Sequence, residues 1–164
     1  MKGFFTTRVV PNYVDLPEKQ YHFPRTCLRQ VERCVGDWIV YYEPRRSSGD
    51  QPGGRQAYFA TAQVSGVRPD LKLPDHFYAD VQGYFEFPRA VLFREGSHYY
   101  ESGLRRDDGE TNRGAFGRSV RGLPDNEFWA ILQAGIASDV FDEEADSVVV
   151  DPSTRETVQT YLNR

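Results

Sequence analysis

Gly36-Asp37-Trp38-Ile39-Val40-Tyr41-Tyr42-Glu43-Pro44-Arg45-Arg46 holds the residue types in this chain best suited to chemistry: a short apolar run that exits into paired aromatics and paired cations. Aromatic faces stack on planar rings, and the guanidinium fork matches phosphate two bonds at a time. Arg55 follows across a loop dense in Ser, Gly, Asp and Pro. A second cationic group, Arg105, Arg106, Arg113, Arg118 and Arg121, lies in or just beyond a long polar stretch that opens with His98-Tyr99-Tyr100-Glu101. A third aromatic set, Tyr21-His22-Phe23, stands just before the first helical pattern.

These types define a candidate ring-binding pocket of Tyr21, His22, Phe23, Tyr41, Tyr42, Tyr99 and Tyr100. Arg45, Arg46, Arg55, Arg105, Arg106, Arg113, Arg118 and Arg121 are the candidate phosphate contacts. Each has a plainer reading. Successive strand residues point to opposite faces, so at most one of Tyr41 and Tyr42 serves a given pocket, and Trp38 reads as core beside Val40 and Tyr42. A lone histidine such as His22 is often structural, and Asp50, Asp107, Asp108 and Glu110 lie close enough in sequence to neutralise much of the positive charge.

Signals for catalysis are sparse. Cys27 and Cys34 lie two turns apart on one helical face, as a buried apolar pair would, with nothing beside them to activate a thiolate. The histidines at 22, 76 and 98 have no metal-ligand spacing, and no GxxxxGK[ST] loop exists. Pro74-Asp75 begins like a PD-(D/E)xK fragment, but no ExK follows. The expectation is a binding protein without enzymatic activity or cofactor, and a hydrolase using Glu101 or Asp108 is the weaker alternative.

The elements that must position these residues follow from period and punctuation. A first strand is expected within Gly3 to Val10. After Pro24, Cys27, Leu28, Val31, Cys34 and Val35 fall on one face of a helix of about three turns, which Gly36 ends. Strands follow at Trp38 to Tyr42, Gln56 to Val67, Phe77 to Phe87 with an interruption at Gly83, and Ala90 to Phe93. Glu95 to Gly117 is a long polar loop of the kind that is usually functional or mobile. Arg118 to Arg121 is the last strand, and a helix with the apolar face Phe128, Ile131 and Leu132 runs to Gly135. The class is α+β, a small curved antiparallel β-barrel with one helix after the first strand and one after the last.

Charge divides the chain unevenly. Residues 1–134 carry 18 Lys+Arg against 17 Asp+Glu, whereas 135–164 carry 2 against 7, so all net acidity lies in the tail. The reading is one domain over 1–135, then an acidic linker and short helix over 136–164. No apolar run reaches the roughly 20 residues of a membrane helix, and the N-terminus lacks a signal-peptide pattern, so a cytoplasmic protein is expected.

Gly36-Asp37, the strand ending in Tyr41-Tyr42, the Gly-rich loop and the strand Ala57 to Val64 resemble the core of the PUA-like superfamily, whose EVE, YTH and SRA modules hold a flipped or single-stranded modified base. Tyr21-His22-Phe23-Pro24, Gly36-Asp37-Trp38-Ile39-Val40-Tyr41, His98-Tyr99-Tyr100-Glu101 and Gly117-Arg118-Ser119-Val120-Arg121 resemble the N-terminal half of bacterial HNH restriction endonucleases. In those proteins a segment like Tyr161-Leu162-Asn163-Arg164 leads into the nuclease domain. The paired histidines and the asparagine of an HNH centre are absent here. The resemblance therefore implies a DNA-binding specificity module for a modified base, chiefly 5-methyl- or 5-hydroxymethylcytosine, read by base flipping. It also implies a divalent metal confined to a separate nuclease domain, and it accommodates a homodimer formed through the full-length protein. The competing class is a protein-interaction or small-ligand module that contacts its partner through the acidic tail and the long loop.

Overall fold

Gly36 adopts a left-handed backbone, φ 84°, and so turns a helix directly into a strand. Its N–H donates to the Val64 carbonyl at 2.7 Å, and the Val64 N–H donates to the Asp37 carbonyl at 3.0 Å, which ties the junction to a neighbouring strand. The computed structural model describes residues 1–7, 16–45 and 54–142. In chain order these form β1 (Gly3–Thr6), β2 (Gln20–Pro24), a 3-10 turn (Arg25–Cys27), α1 (Leu28–Cys34), β3 (Trp38–Glu43), β4 (Ala57–Pro69) and β5 (His76–Leu92). The short hairpin of β6 (Arg94–Glu95) and β7 (His98–Tyr99) follows, then β8 (Val120–Gly122) and α2 (Asp125–Asp142).

Six strands make one curled sheet in the order β2-β5-β4-β3-β1-β8. The α+β class is as expected, with one difference in sheet type. β1 and β3 run parallel, Phe4 opposite Val40 and Phe5 opposite Tyr41, because the chain crosses through β2 and α1 before returning beside β1. The other neighbouring pairs are antiparallel. The first helix follows the second strand, since Tyr21, His22 and Phe23 pair in register with Ala79, Tyr78 and Phe77 of β5.

Both faces of the sheet are covered, which explains the continuous burial of β3. On the α1 side, Phe5, Tyr21, Phe23, Ile39 and Tyr41 pack with Val31 and Cys34. On the α2 side, Phe4, Val40, Tyr42 and Tyr58 pack with Phe128, Ile131 and Leu132. Val35, expected on the buried face of the helix, is 44% exposed because its ψ of 129° has already left the helix. Cys27 and Cys34 are free thiols, and burial pushes the Cys34 thiol up to about 11.

Two glycines correct the expected element ends. Gly83 does not end β5, although the pairing with β4 shifts register beside it, Thr61 opposite Phe85 and Gln63 opposite Gln82; with φ 65° it admits the Trp38 ring, 2.9 Å from where a β-carbon would stand. Gly135 does not end α2, which runs on to Asp142. There the Phe87 ring sits 2.5 Å from the missing β-carbon, so Gly135 answers to close packing between helix and sheet. Arg46 and residues 143–164, most of the expected acidic tail, lie outside the described residues.

Candidate functional site

β4 and β5 pair from Ala57 opposite Leu92 at one end to Pro69 opposite Phe77 at the other, and the site lies at the first end. Thr6 ends β1, Tyr42 and the Pro44-Arg45 exit end β3, Gln56 precedes β4, and Phe93 follows β5. With Thr111, Arg113 and Phe116 from the long polar segment they line a cleft of about 370 Å³. That is within the roughly 300–1,000 Å³ of small-ligand sites.

The polar segment is a built wall. β6 and β7 form a hairpin, Arg105 bridges Thr111, the Arg106 N–H donates to the Glu110 carbonyl at 2.8 Å, and the Asn112 N–H donates to the Leu104 carbonyl at 2.7 Å. These bonds bring Phe116 over the sheet end. Its ring meets Phe93 edge-on at 5.0 Å and lies 5.9 Å from Tyr42 at an interplanar angle of 35°.

Gln56 also lines the cleft, with φ 54°, a region that side-chain-bearing residues seldom adopt and that costs about 1–3 kcal/mol. Its carbonyl accepts the Phe93 N–H at 3.1 Å, which ties it to that aromatic. Tyr42 supplies the floor. Its hydroxyl is buried and has no hydrogen-bond partner, and burial pushes the phenol far above its ordinary range, so it stays protonated. Arg45 and Arg113 border the cleft, both exposed and neither with an acidic partner among the described residues.

A second, more polar chamber of about 760 Å³ adjoins the cleft and shares Thr111 and Arg113 with it. Arg94, Arg106, Glu110, Asn112 and Gly114 complete its lining.

Below the cleft, Glu101 is 4% exposed and fully engaged. The Tyr58 hydroxyl donates to its Oε1 at 2.6 Å, and Arg121 donates from Nε to Oε2 at 2.8 Å and from Nη2 to Oε1 at 2.9 Å. Arg121 also lies 3.7 Å from the Phe4 ring centroid and donates to the Ala115 carbonyl at 3.0 Å. This network supports the turn that carries Phe116. Both Glu101 oxygens therefore accept hydrogen bonds at a place almost closed to solvent.

Of the expected pocket aromatics, Tyr42 alone lines the cleft. Tyr21, Phe23 and Tyr41 belong to the α1-side core, because β2 is a sheet strand and the parity of β3 turns Tyr41 away. The Tyr21 hydroxyl donates to the Thr6 carbonyl at 2.8 Å, and that of Tyr41 donates to the Pro17 carbonyl at 2.9 Å. His22 is at the far end, its Nε2 2.9 Å from Asp70 Oδ2 and its ring against His76 and Tyr78. The Tyr99 hydroxyl bonds Thr111 Oγ1 at 2.8 Å as a strut under the polar segment. Tyr100 packs edge-on against Tyr58 and lines neither cavity, and burial pushes its phenol up to about 12.

The arginines separate similarly. Arg45, Arg106 and Arg113 border the cavities, and Arg105 and Arg118 are exposed nearby in sequence. Arg55 pairs with Glu43 at 2.5 Å while 54% exposed, and Arg121 is engaged by Glu101 and by the Phe4 ring. Sequence reasoning missed Thr6, Gln56, Phe93, Arg94, Thr111 and Phe116. Phe116 carried a readable signal: a large aromatic isolated in a polar, Gly-rich stretch. No group of three or more His, Cys, Asp or Glu placed to hold a metal occurs among the described residues. No helix among them is long and apolar enough to cross a membrane.

The curled mixed sheet flanked by two helices is an α+β fold. It is similar to the N-terminal domain of Staphylothermus marinus McrB, with a TM-score of 0.50 and 10% sequence identity over 79% of this chain and 92% of that one. At that identity the likeness concerns the fold alone. No protein-family model matches the chain, and no curated protein sequence matches it significantly.

Proposed function

We propose that this domain is a DNA-binding specificity module that takes one modified base, 5-methyl- or 5-hydroxymethylcytosine, out of the helical stack and into the cleft beneath Phe116. The observation that carries this reading is the convergence of an aromatic floor and wall with two guanidiniums, neither with an acidic partner among the described residues, around one cavity. Thr6, Gln56 and Thr111 supply hydrogen-bonding groups for a base edge. The PUA-like fold, which EVE, YTH and SRA modules also use to hold bases, supports it further.

Extruding a base costs a few kcal/mol, and stacking returns about 1–3 kcal/mol per ring. Phosphate contacts must supply much of the remainder, a role that Arg45 and Arg113 fit at the cleft border. On the sequence resemblance, strand cleavage belongs to a separate HNH nuclease domain with its own divalent metal.

A thermal-shift screen tests the reading. A duplex that binds only the folded state stabilises it by about 2.7 kcal/mol at a hundredfold excess over Kd. Modified duplexes should raise Tm more than unmodified ones. Indifference to every nucleic acid would overturn the proposal and favour a protein-interaction or small-ligand module.

A further inference from the structure

Arg94, at the start of β6, is fixed before any ligand arrives. Its Nε donates to the Gly96 carbonyl at 2.7 Å, and its Nη1 donates to the Tyr99 hydroxyl at 3.1 Å. That hydroxyl in turn meets Thr111 Oγ1 at 2.8 Å, so a chain of hydrogen bonds runs from the guanidinium to the wall shared by the two cavities. Neither of these bonds uses Arg94 Nη2. Arg106 lines the same chamber, tethered by Nη2 to Asp108 at 3.1 Å in an exposed pair, which is weak in water. Arg113 stands on the shared wall with no acidic partner among the described residues.

We infer that the second chamber seats the phosphodiester joining the inserted nucleotide to its neighbour, with Arg113 between base and phosphate and with Arg94 and Arg106 across from it. The inference rests on the base-binding reading above and adds the path of the backbone. Three guanidiniums around one polar chamber suit a phosphate, Arg94 offering Nη2 while its other nitrogens hold it in place. Asn112 and Thr111 add neutral groups for the remaining oxygens. A buried strut under Arg94 is what a prepositioned anion contact needs, since the donor is not reordered when phosphate enters. Glu110, the carboxylate in the lining, opposes this charge. It gives the inference a test of opposite sign.

The experiment measures affinity of the full chain for one modified duplex across a salt series. It compares the wild type with Arg106→Ala, Glu110→Gln and, as a control on the surface of α1, Arg29→Ala. Losing a phosphate contact should lower the slope of log K against log salt by roughly 0.9. Arg106→Ala should show that drop with the preference for modified over unmodified duplex retained, and Arg29→Ala should show none. Glu110→Gln should tighten binding by roughly two- to fivefold, as expected for removing one exposed charge opposition. Wild-type binding with unchanged slope in Arg106→Ala and no gain in Glu110→Gln would overturn this inference alone. No duplex binding by the wild type would overturn the base-binding reading and this inference together.

Discussion

Arg121 forks onto Glu101 beneath the cleft, Nε on Oε2 at 2.8 Å and Nη2 on Oε1 at 2.9 Å, and thereby joins β8 to the segment that carries Phe116. The arginine is 14% and the glutamate 5% exposed, so neither charge has water to fall back on if the other is removed. Its place in the molecule is architectural.

Breaking that pair from either side should destabilise strongly. Arg121→Ala leaves a buried carboxylate and removes the contact with Phe4, and a loss of about 3–5 kcal/mol is expected by urea denaturation. A variant that keeps wild-type stability yet loses duplex binding would show instead that Arg121 contacts the ligand.

Tyr42→Phe should behave in the opposite way. The hydroxyl it deletes is buried and unpartnered, a condition that costs about 1–3 kcal/mol, so the variant should be as stable as the wild type or more so. Affinity for a modified duplex should be retained in the same protein, because the ring that forms the floor is kept. Thermal denaturation and binding measured side by side check both halves, and a large loss of stability would refute the assignment of an unmet hydrogen bond.

The contrast between Tyr41 and Tyr42 marks how far the sequence could be read. The helix-ending Gly36, the strand after it and the opposite facing of the two tyrosines follow from local rules of period and punctuation. Which face opened on a cavity did not follow, because α1 covers one side and α2 the other, and the space beside Tyr42 lies at the sheet end. Gln56, Phe93 and Phe116 converge from segments far apart in sequence. Their approach is set by the bulge that shifts register between Tyr41 and Tyr42 opposite Ala60 and Tyr58, and by hydrogen bonds within the polar segment. The pairing of Arg55 and Arg121 was hidden for a similar reason, since their acidic partners Glu43 and Glu101 are 12 and 20 residues away.

Gly135→Ala supplies a further check on packing. Alanine favours a helix over glycine by about 1 kcal/mol, so an unpacked site would be stabilised. Here the new methyl would stand 2.5 Å from the Phe87 ring, and overpacking of this kind costs about 1–3 kcal/mol. A net loss in Tm is expected. A gain would mean that α2 does not seat against β5 as described.

Asp37 should contribute to acid sensitivity. Burial acts to raise its pKa, but the Trp38 N–H at 2.8 Å, the chain's amino terminus at 3.1 Å and Lys2 at 3.3 Å outweigh burial and lower it. A carboxyl with a depressed folded-state pKa contributes stability above its unfolded value of about 3.9, and that contribution is lost as pH falls through the folded value. Denaturation followed from pH 6 to pH 2 should therefore show a loss below about pH 4 that is smaller in Asp37→Asn. An identical acid profile in the variant would contradict the described contacts.

The central claim, that this fold end takes a modified base while arginines hold the backbone, is tested most directly by one equilibrium binding panel. One duplex sequence carries unmodified, 5-methyl, 5-hydroxymethyl, N6-methyl or phosphorothioate groups, each titrated with the wild-type chain at two salt concentrations. The account predicts tightest binding to a duplex with a modified cytosine and a steep fall in affinity at the higher salt. Equal binding to all five duplexes, unchanged by salt, would contradict it.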